Sequence, residues 1–171
     1  MTDHDLDLPG LLELLAHSST RPRYAFMVLN LIAQAASAAG RAGPYVTSGG
    51  AAVPVREWLC DALTPMGHRD PKRIKLTERV RSELSKRGIL PGDPAQARQM
   101  VDQEVKARVR AAGKTNVSRS VSELVRAGLL HRHYQGYRVD HANRGAQRLA
   151  VYTVAPIAQA ALKGPEPGLA A

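Results

Sequence analysis

The sequence predicts a mainly α chain that carries a small antiparallel β-hairpin near its C-terminal end. Three observations lead there. Apolar residues recur at helical spacings over most of the chain, as at Val117, Val121, Leu124 and Val125. After Leu130 the pattern changes to the alternation of two that a half-exposed strand requires. Stretches rich in glycine and proline separate the periodic segments. With 171 residues, 44% of them apolar and 23% charged, the composition is globular and suits one ordinary domain or two very small ones.

Taken in order, residues 1–10 are polar and acidic and are expected to fray, while Leu11 to Ala16 can form a short helix ended by His17-Ser18-Ser19-Thr20. Pro22 suits the first turn of the next helix, where its missing N–H would have no partner anyway. There Asn30, Gln34, Ser37 and Arg41 form one narrow polar stripe, so the helix should be buried nearly all round, as a core helix and a candidate dimerisation surface. Gly40 to Ala52 reads as a loop. Pro54 can start a helix through Ala62 with Val55, Leu59 and Leu63 on one face. Thr64 to Lys75 reads as a second, strongly basic loop, after which Thr77 can cap a helix running to Arg87 and stopped by Gly88. Leu76, Val80 and Leu84 form its inner face. Beyond the turn Pro91-Gly92-Asp93-Pro94, Ala95 to Ala112 is amphipathic, and Gly113 closes it.

Thr115 or Asn116 can then cap a helix that buries Val117, Val121, Leu124 and Val125 and ends at Gly128. Its opposite face carries Ser118, Arg119, Ser122 and Arg126, hydroxyls interleaved with cations. Hydroxyls and a helix N-terminus can contact phosphate, and arginine can bond a guanine edge with two donors. His131 to Arg138 reads as a strand, Asp140 to Ala146 as a polar loop, and Gln147 to Val154 as a second strand rich in β-formers. Gly164 to Ala171 is a Pro/Gly/Ala tail.

Residues 113–154, with the capped helix, "ELVRAGLL", a basic strand, a loop and "LAVYTV", resemble the winged helix-turn-helix family of DNA-binding proteins. The resemblance implies that helix 116–127 enters the major groove and that wing 131–154 touches backbone or minor groove. It implicates Lys114, Thr115, Asn116, Ser118, Arg119, Ser122 and Arg126 on the helix side, and Arg132, Arg138, Arg144 and Arg148 on the wing. The preceding helix is long and highly charged for a supporting helix, and the wing loop is long.

Residues 78–90 also align with residues 118–130 at an offset of 40, with identity at Arg79/Arg119, Ser82/Ser122, Glu83/Glu123, Leu84/Leu124, Gly88/Gly128 and Leu90/Leu130. Two readings stand: tandem helix-turn-helix units, or two independent helix endings, since Val121 and Val125 align with Arg81 and Ser85. Arg73, Lys75, Arg79 and Lys86 form a second candidate phosphate-binding cluster, or else a solvated basic face.

Charge supports a polyanion partner. The chain carries +9, from 24 Lys+Arg against 15 Asp+Glu, and the first twenty residues hold Asp3, Asp5, Asp7 and Glu13 with no basic residue. The body is therefore more basic than the total, which favours nucleic acid first and an anionic membrane surface second. The acidic segment could shield a basic face until DNA displaces it. A single cysteine, Cys60, allows no intrachain disulfide and no multi-cysteine zinc site, and reads as a small core residue. No secretory signal or spanning helix is expected: the most apolar stretch, Tyr24 to Ala39, is shorter than the ~20 residues a membrane crossing needs.

Gly113-Lys114-Thr115 resembles the end of a phosphate-binding loop but has Arg108 where that loop needs glycine. His131 and His133 could ligate metal with His141, but nearby carboxylates are scarce, so a metal is not expected. Glu123 lacks a second carboxylate and makes a poor acid catalyst. No catalytic constellation is visible, and neither an enzyme nor a cofactor is expected.

The organisation expected is an acidic segment 1–20, a helical region 21–90 with a candidate first helix-turn-helix and dimerisation surface, a winged helix-turn-helix 91–162, and a tail 163–171. The expected function is sequence-specific double-stranded DNA binding by a cytoplasmic, nucleoid-associated homodimer that regulates transcription. The alternatives are an accessory DNA-binding protein of a plasmid, phage or mobile-element replication or partition system, and a winged-helix module that binds an acidic protein surface.

Overall fold

The computed structural model describes residues 5–64, 71–135 and 149–164. It is mainly helical with a small antiparallel sheet: α1 (Leu8–Ser18), α2 (Pro22–Ala35), β1 (Arg41–Ala42), β2 (Tyr45–Ser48), β3 (Ala51–Pro54), α3 (Val55–Leu63), α4 (Pro71–Lys86), α5 (Pro94–Arg126), β4 (Leu130–Gln135), β5 (Leu149–Val154) and α6 (Pro156–Lys163). The chain divides into two compact units, one of residues 1–59 with 117–171 and one of residues 60–116.

In the first unit, α1 begins earlier than the fraying expected of residues 1–10. Asp7 is its N-cap, with Oδ1 accepting from the Gly10 N–H at 2.8 Å, and Pro9 sits in the first turn. Leu11 and Leu15 are fully buried, α1 packs on α2 and α6, and α2 packs on β1 and β5. α2 buries Ala25, Val28, Leu29 and Ile32 and stops at Ala35, short of the expected Ala39. Its polar stripe is cut accordingly, with Ser37 and Arg41 lying beyond the helix.

Gly40 to Ala52 is not a loop. β1 pairs with β5, and β2 pairs with β3 through a two-glycine turn at Gly49-Gly50, both with positive φ. Glycine density here marks hairpin and close-approach geometry rather than irregular chain. At Gly43, φ is 98°, and a Cβ would stand 3.0 Å from both the Ala150 carbonyl oxygen and Val55 Cγ1. β5 is the central strand of the sheet β1-β5-β4, antiparallel to both neighbours, and its register on β4 runs from Leu130↔Val154 to Gln135↔Leu149. That position buries both faces of β5, including Val151 and Tyr152. The strand ends before α6, an element absent from the expectation, whose start Pro156 marks as the residue at helix entry.

In the second unit, α4 begins at Pro71, six residues before the expected start, so Arg73 and Lys75 are helical and not in a loop. Thr77 does not cap: its Oγ1 donates to the Arg73 carbonyl at 2.9 Å, one turn back inside the helix. Val80 and Leu84 pack with Val101 and Val105 of α5, and Leu76, Leu90, Met100 and Val109 close around them. Arg108 of α5 links the two helices by an ion pair to Glu83 of α4, and pairs at 3.0 Å with Glu104 one turn back in its own helix.

The largest departure lies at Gly113. α5 runs unbroken from Pro94 to Arg126, so there is no turn between 112 and 116 and no new helix start. Thr115 Oγ1 donates to the Ala111 carbonyl at 3.3 Å within the helix instead of capping. One interior glycine costs about 1 kcal/mol relative to alanine. A break would forfeit backbone hydrogen bonds on both sides, which outweighs the cost of one glycine. Gly113 fits where it stands: an added Cβ would meet Cys60 Cβ and Sγ at 3.8 Å, ordinary contact.

Both expected stops do occur. Gly88 and Gly128 have φ of 69° and 75°. In each, the glycine N–H bonds three residues back and the next N–H five back: Gly88 to Ser85 and Ile89 to Leu84, Gly128 to Val125 and Leu129 to Leu124. These are paired Schellman endings, and they account for the glycines and leucines shared at the offset of 40. Among the described residues, no helix is long and apolar enough to cross a membrane.

Candidate functional site

The surface of interest is built in the first unit by the last turns of α5 and by β4. Val117, Val121 and Leu124 turn inward and are fully buried, which sends Ser118, Arg119, Ser122 and Arg126 to the other side. Arg119 and Arg126 are exposed, and Ser118 and Ser122 are half-buried. Ser122 Oγ donates to the Ser118 carbonyl at 2.9 Å and accepts from Arg132 Nη1 of β4 at 3.2 Å. The Arg132 guanidinium also lies 5.9 Å from the centroid of the Tyr134 ring. Helix and strand are therefore joined at Ser122 and Arg132, which the sequence implicated on separate elements.

The carboxylate of this stretch is removed from the surface. Residues 113–135 contain Lys114, Arg119, Arg126 and Arg132 against a single acidic residue, Glu123. Glu123 is only 6% exposed, and its Oε1 accepts from the Thr20 hydroxyl at 3.0 Å, with the Thr20 N–H at 3.5 Å. Burial works against its charge. The hydroxyls of Ser19 and Thr20, the Thr20 amide and the Arg126 charge outweigh that and hold the carboxyl below its ordinary range. Glu123 is thus a tie between the α1–α2 turn and α5. Sequence pattern alone could not find this, because its partner is 103 residues away.

Other expected positions fare differently. Lys114, Thr115 and Asn116 lie in the interior of α5, so the amides near them are engaged in the helix and offer no N-terminal phosphate site. The same fact removes the phosphate-loop reading of Gly113-Lys114-Thr115. Arg138, Arg144 and Arg148 lie outside the described residues, as does His141. His131 and His133 alternate with Arg132 along β4. Among the described residues, no three His, Cys, Asp or Glu side chains gather as metal ligands.

In the second unit the four residues of the secondary cluster separate. Lys75, Arg79 and Lys86 are exposed on α4. Arg73 is half-buried and lines a cleft of about 550 Å³ together with Asp61, Thr64, Gln103, Lys106 and Arg110. Comparison with protein-family models, with curated proteins and with solved structures returned no match for this chain. The chemistry of these two surfaces therefore carries the functional reading.

Proposed function

We propose that this chain is a sequence-specific double-stranded DNA-binding protein of winged helix-turn-helix type that regulates transcription. The observation that carries the reading is the all-cationic, hydroxyl-bearing surface of Ser118, Arg119, Ser122, Arg126 and Arg132, from which the Glu123 carboxylate is withdrawn. Topology supports it as well. Helix α2, strand β1, helix α3, the end of α5 and strands β4 and β5, with sheet order β1-β5-β4, follow a winged-helix order. The β2–β3 hairpin and residues 60–116 are then insertions. No chemical step is required: cations release counterions from phosphates for affinity, and the exposed side chains of α5 read base edges.

The continuity of α5 through Gly113 changes how the helix is used. Reading falls to the exposed side of its last turns, Ser118 to Arg126, and not to a helix N-terminus. The test is selection of bound fragments from a fragmented genome, followed by footprinting and titration of variants. Arg119→Ala should weaken specific binding by about 1–3 kcal/mol if it bonds a base edge with two donors. Arg132→Ala and Arg144→Ala should weaken binding to all sequences and lower the salt slope by about 1 each. Wild-type affinity in Arg119→Ala and Arg132→Ala at moderate salt refutes groove reading. Nuclease-resistant capture of an acidic protein, with no shift of any genomic fragment, would instead favour the protein-interaction module.

A further inference from the structure

The cleft of the second unit has a chemistry that duplex binding does not use. Arg73, Lys106 and Arg110 bring three cations to it, and Gln103 and Thr64 add polar groups. Asp61 is the opposing charge, and it is engaged: Arg110 Nη2 donates to its two oxygens at 3.2 and 3.5 Å. Thr64 Oγ1 gives its proton to the Cys60 carbonyl at 2.7 Å, which leaves its oxygen as an acceptor. Arg73 is different. Its Nη1 is buried with no hydrogen-bond partner among the described residues. A buried donor left unsatisfied is costly, and a guanidinium relieves that cost by turning to an oxygen brought within reach. Val109 adds an apolar wall, and the volume lies in the range of small-molecule sites.

The geometry points to a binding site for a small organic oxyanion, a phosphate or carboxylate head with an apolar body, held by Arg73 and Lys106. This goes beyond the DNA-binding reading and does not depend on it. The head accepts from the Arg73 guanidinium and the Lys106 ammonium, and the body rests on Val109. Arg110 is held in reserve by Asp61.

Calorimetric titration of the full chain with inorganic phosphate and with phenyl phosphate, in DNA-free buffer, tests it. Phenyl phosphate should bind, and more tightly than inorganic phosphate. Arg73→Met should weaken it about 10- to 100-fold, the range for losing charge-assisted hydrogen bonds. Asp61→Asn should tighten it by freeing Arg110, and Lys75→Gln, on the exposed side of α4, should leave it unchanged. Because Arg73→Met removes an unpaired buried donor, its melting temperature without ligand should equal or exceed the parent's. If that variant does not fold, Lys106→Gln carries the same readout. No binding of phenyl phosphate at millimolar concentration overturns the proposal, as does unaltered affinity in Arg73→Met. Equal loss in Lys75→Gln would mean diffuse surface attraction and overturn it too. If short duplex DNA displaces phenyl phosphate and its own binding is equally sensitive to Arg73→Met, the cleft serves nucleic-acid backbone and the small-anion site is refuted.

Discussion

Gly113, inside α5, and Gly128, just past its end, should respond to alanine with opposite signs. Gly113 stands inside a continuous helix and is not among the positive-φ glycines, and a Cβ there meets Cys60 at 3.8 Å with no overlap. Gly113→Ala should therefore stabilise the protein by about 0.8–1 kcal/mol, the helix-propensity difference. Gly128 has a φ of 75° and nothing within 4 Å of an added Cβ. Its penalty is purely conformational, about 1–2 kcal/mol for an L-residue held left-handed. The assay is urea unfolding followed by far-ultraviolet circular dichroism, with midpoints compared at unchanged slope. Were Gly113 the stop of one helix and Thr115 or Asn116 the cap of the next, Gly113→Ala would destabilise as Gly128→Ala does. Loss of about 1 kcal/mol or more at Gly113 would refute the single helix and restore a true helix-turn-helix at 112–116.

Further outcomes follow from the ties within each unit. Glu123→Ala should cost about 1–3 kcal/mol, because Thr20 loses a buried charged acceptor, measured by the same unfolding curves. The Glu123 carboxyl is held below its ordinary range, so its contribution is complete above the unfolded-state pKa and is lost as pH falls through the depressed folded value. Glu123→Gln should accordingly flatten the acid limb of stability against pH, and an unchanged limb would show the tie to be unimportant. Leu124→Ala, at a fully buried position, should cost about 2–5 kcal/mol, and a loss under 1 kcal/mol would mean that its face is not core. Because Asp7 caps α1, the acidic segment is best tested by Asp3→Asn with Asp5→Asn, which leaves the cap intact. Tighter DNA binding in gel-shift titration is expected, and unchanged affinity would remove the shielding idea.

Much of the framework is legible in local pattern. The core faces of α3, α4 and the end of α5 follow from apolar spacing, and Val55, Leu59, Val80, Leu84, Val117, Val121 and Leu124 are all buried. The β4–β5 pair follows from the change of period after Leu130, and the stops at Gly88 and Gly128 from glycine before an apolar return. Capping chemistry was less dependable. Asp7 caps where nothing was expected, while Thr77 and Thr115 spend their hydroxyls on carbonyls four residues back. A threonine is compatible with both uses, and only the neighbouring backbone selects one.

The candidate site divides along the same line. Composition and periodicity by themselves determine that Ser118, Arg119, Ser122 and Arg126 share a side opposite Val117, Val121 and Leu124, because a helix has 3.6 residues per turn wherever it stands. Tertiary structure alone decides that Arg132 meets Ser122, that Glu123 leaves the surface for Thr20, and that Arg73 parts from Lys75, Arg79 and Lys86 to enter a cleft with Lys106. It also decides that glycine at 113 continues a helix while glycine at 128 ends one. Glycine permits both backbone conformations at little difference in energy, so the choice passes to packing and to the hydrogen bonds that each alternative would leave unmade.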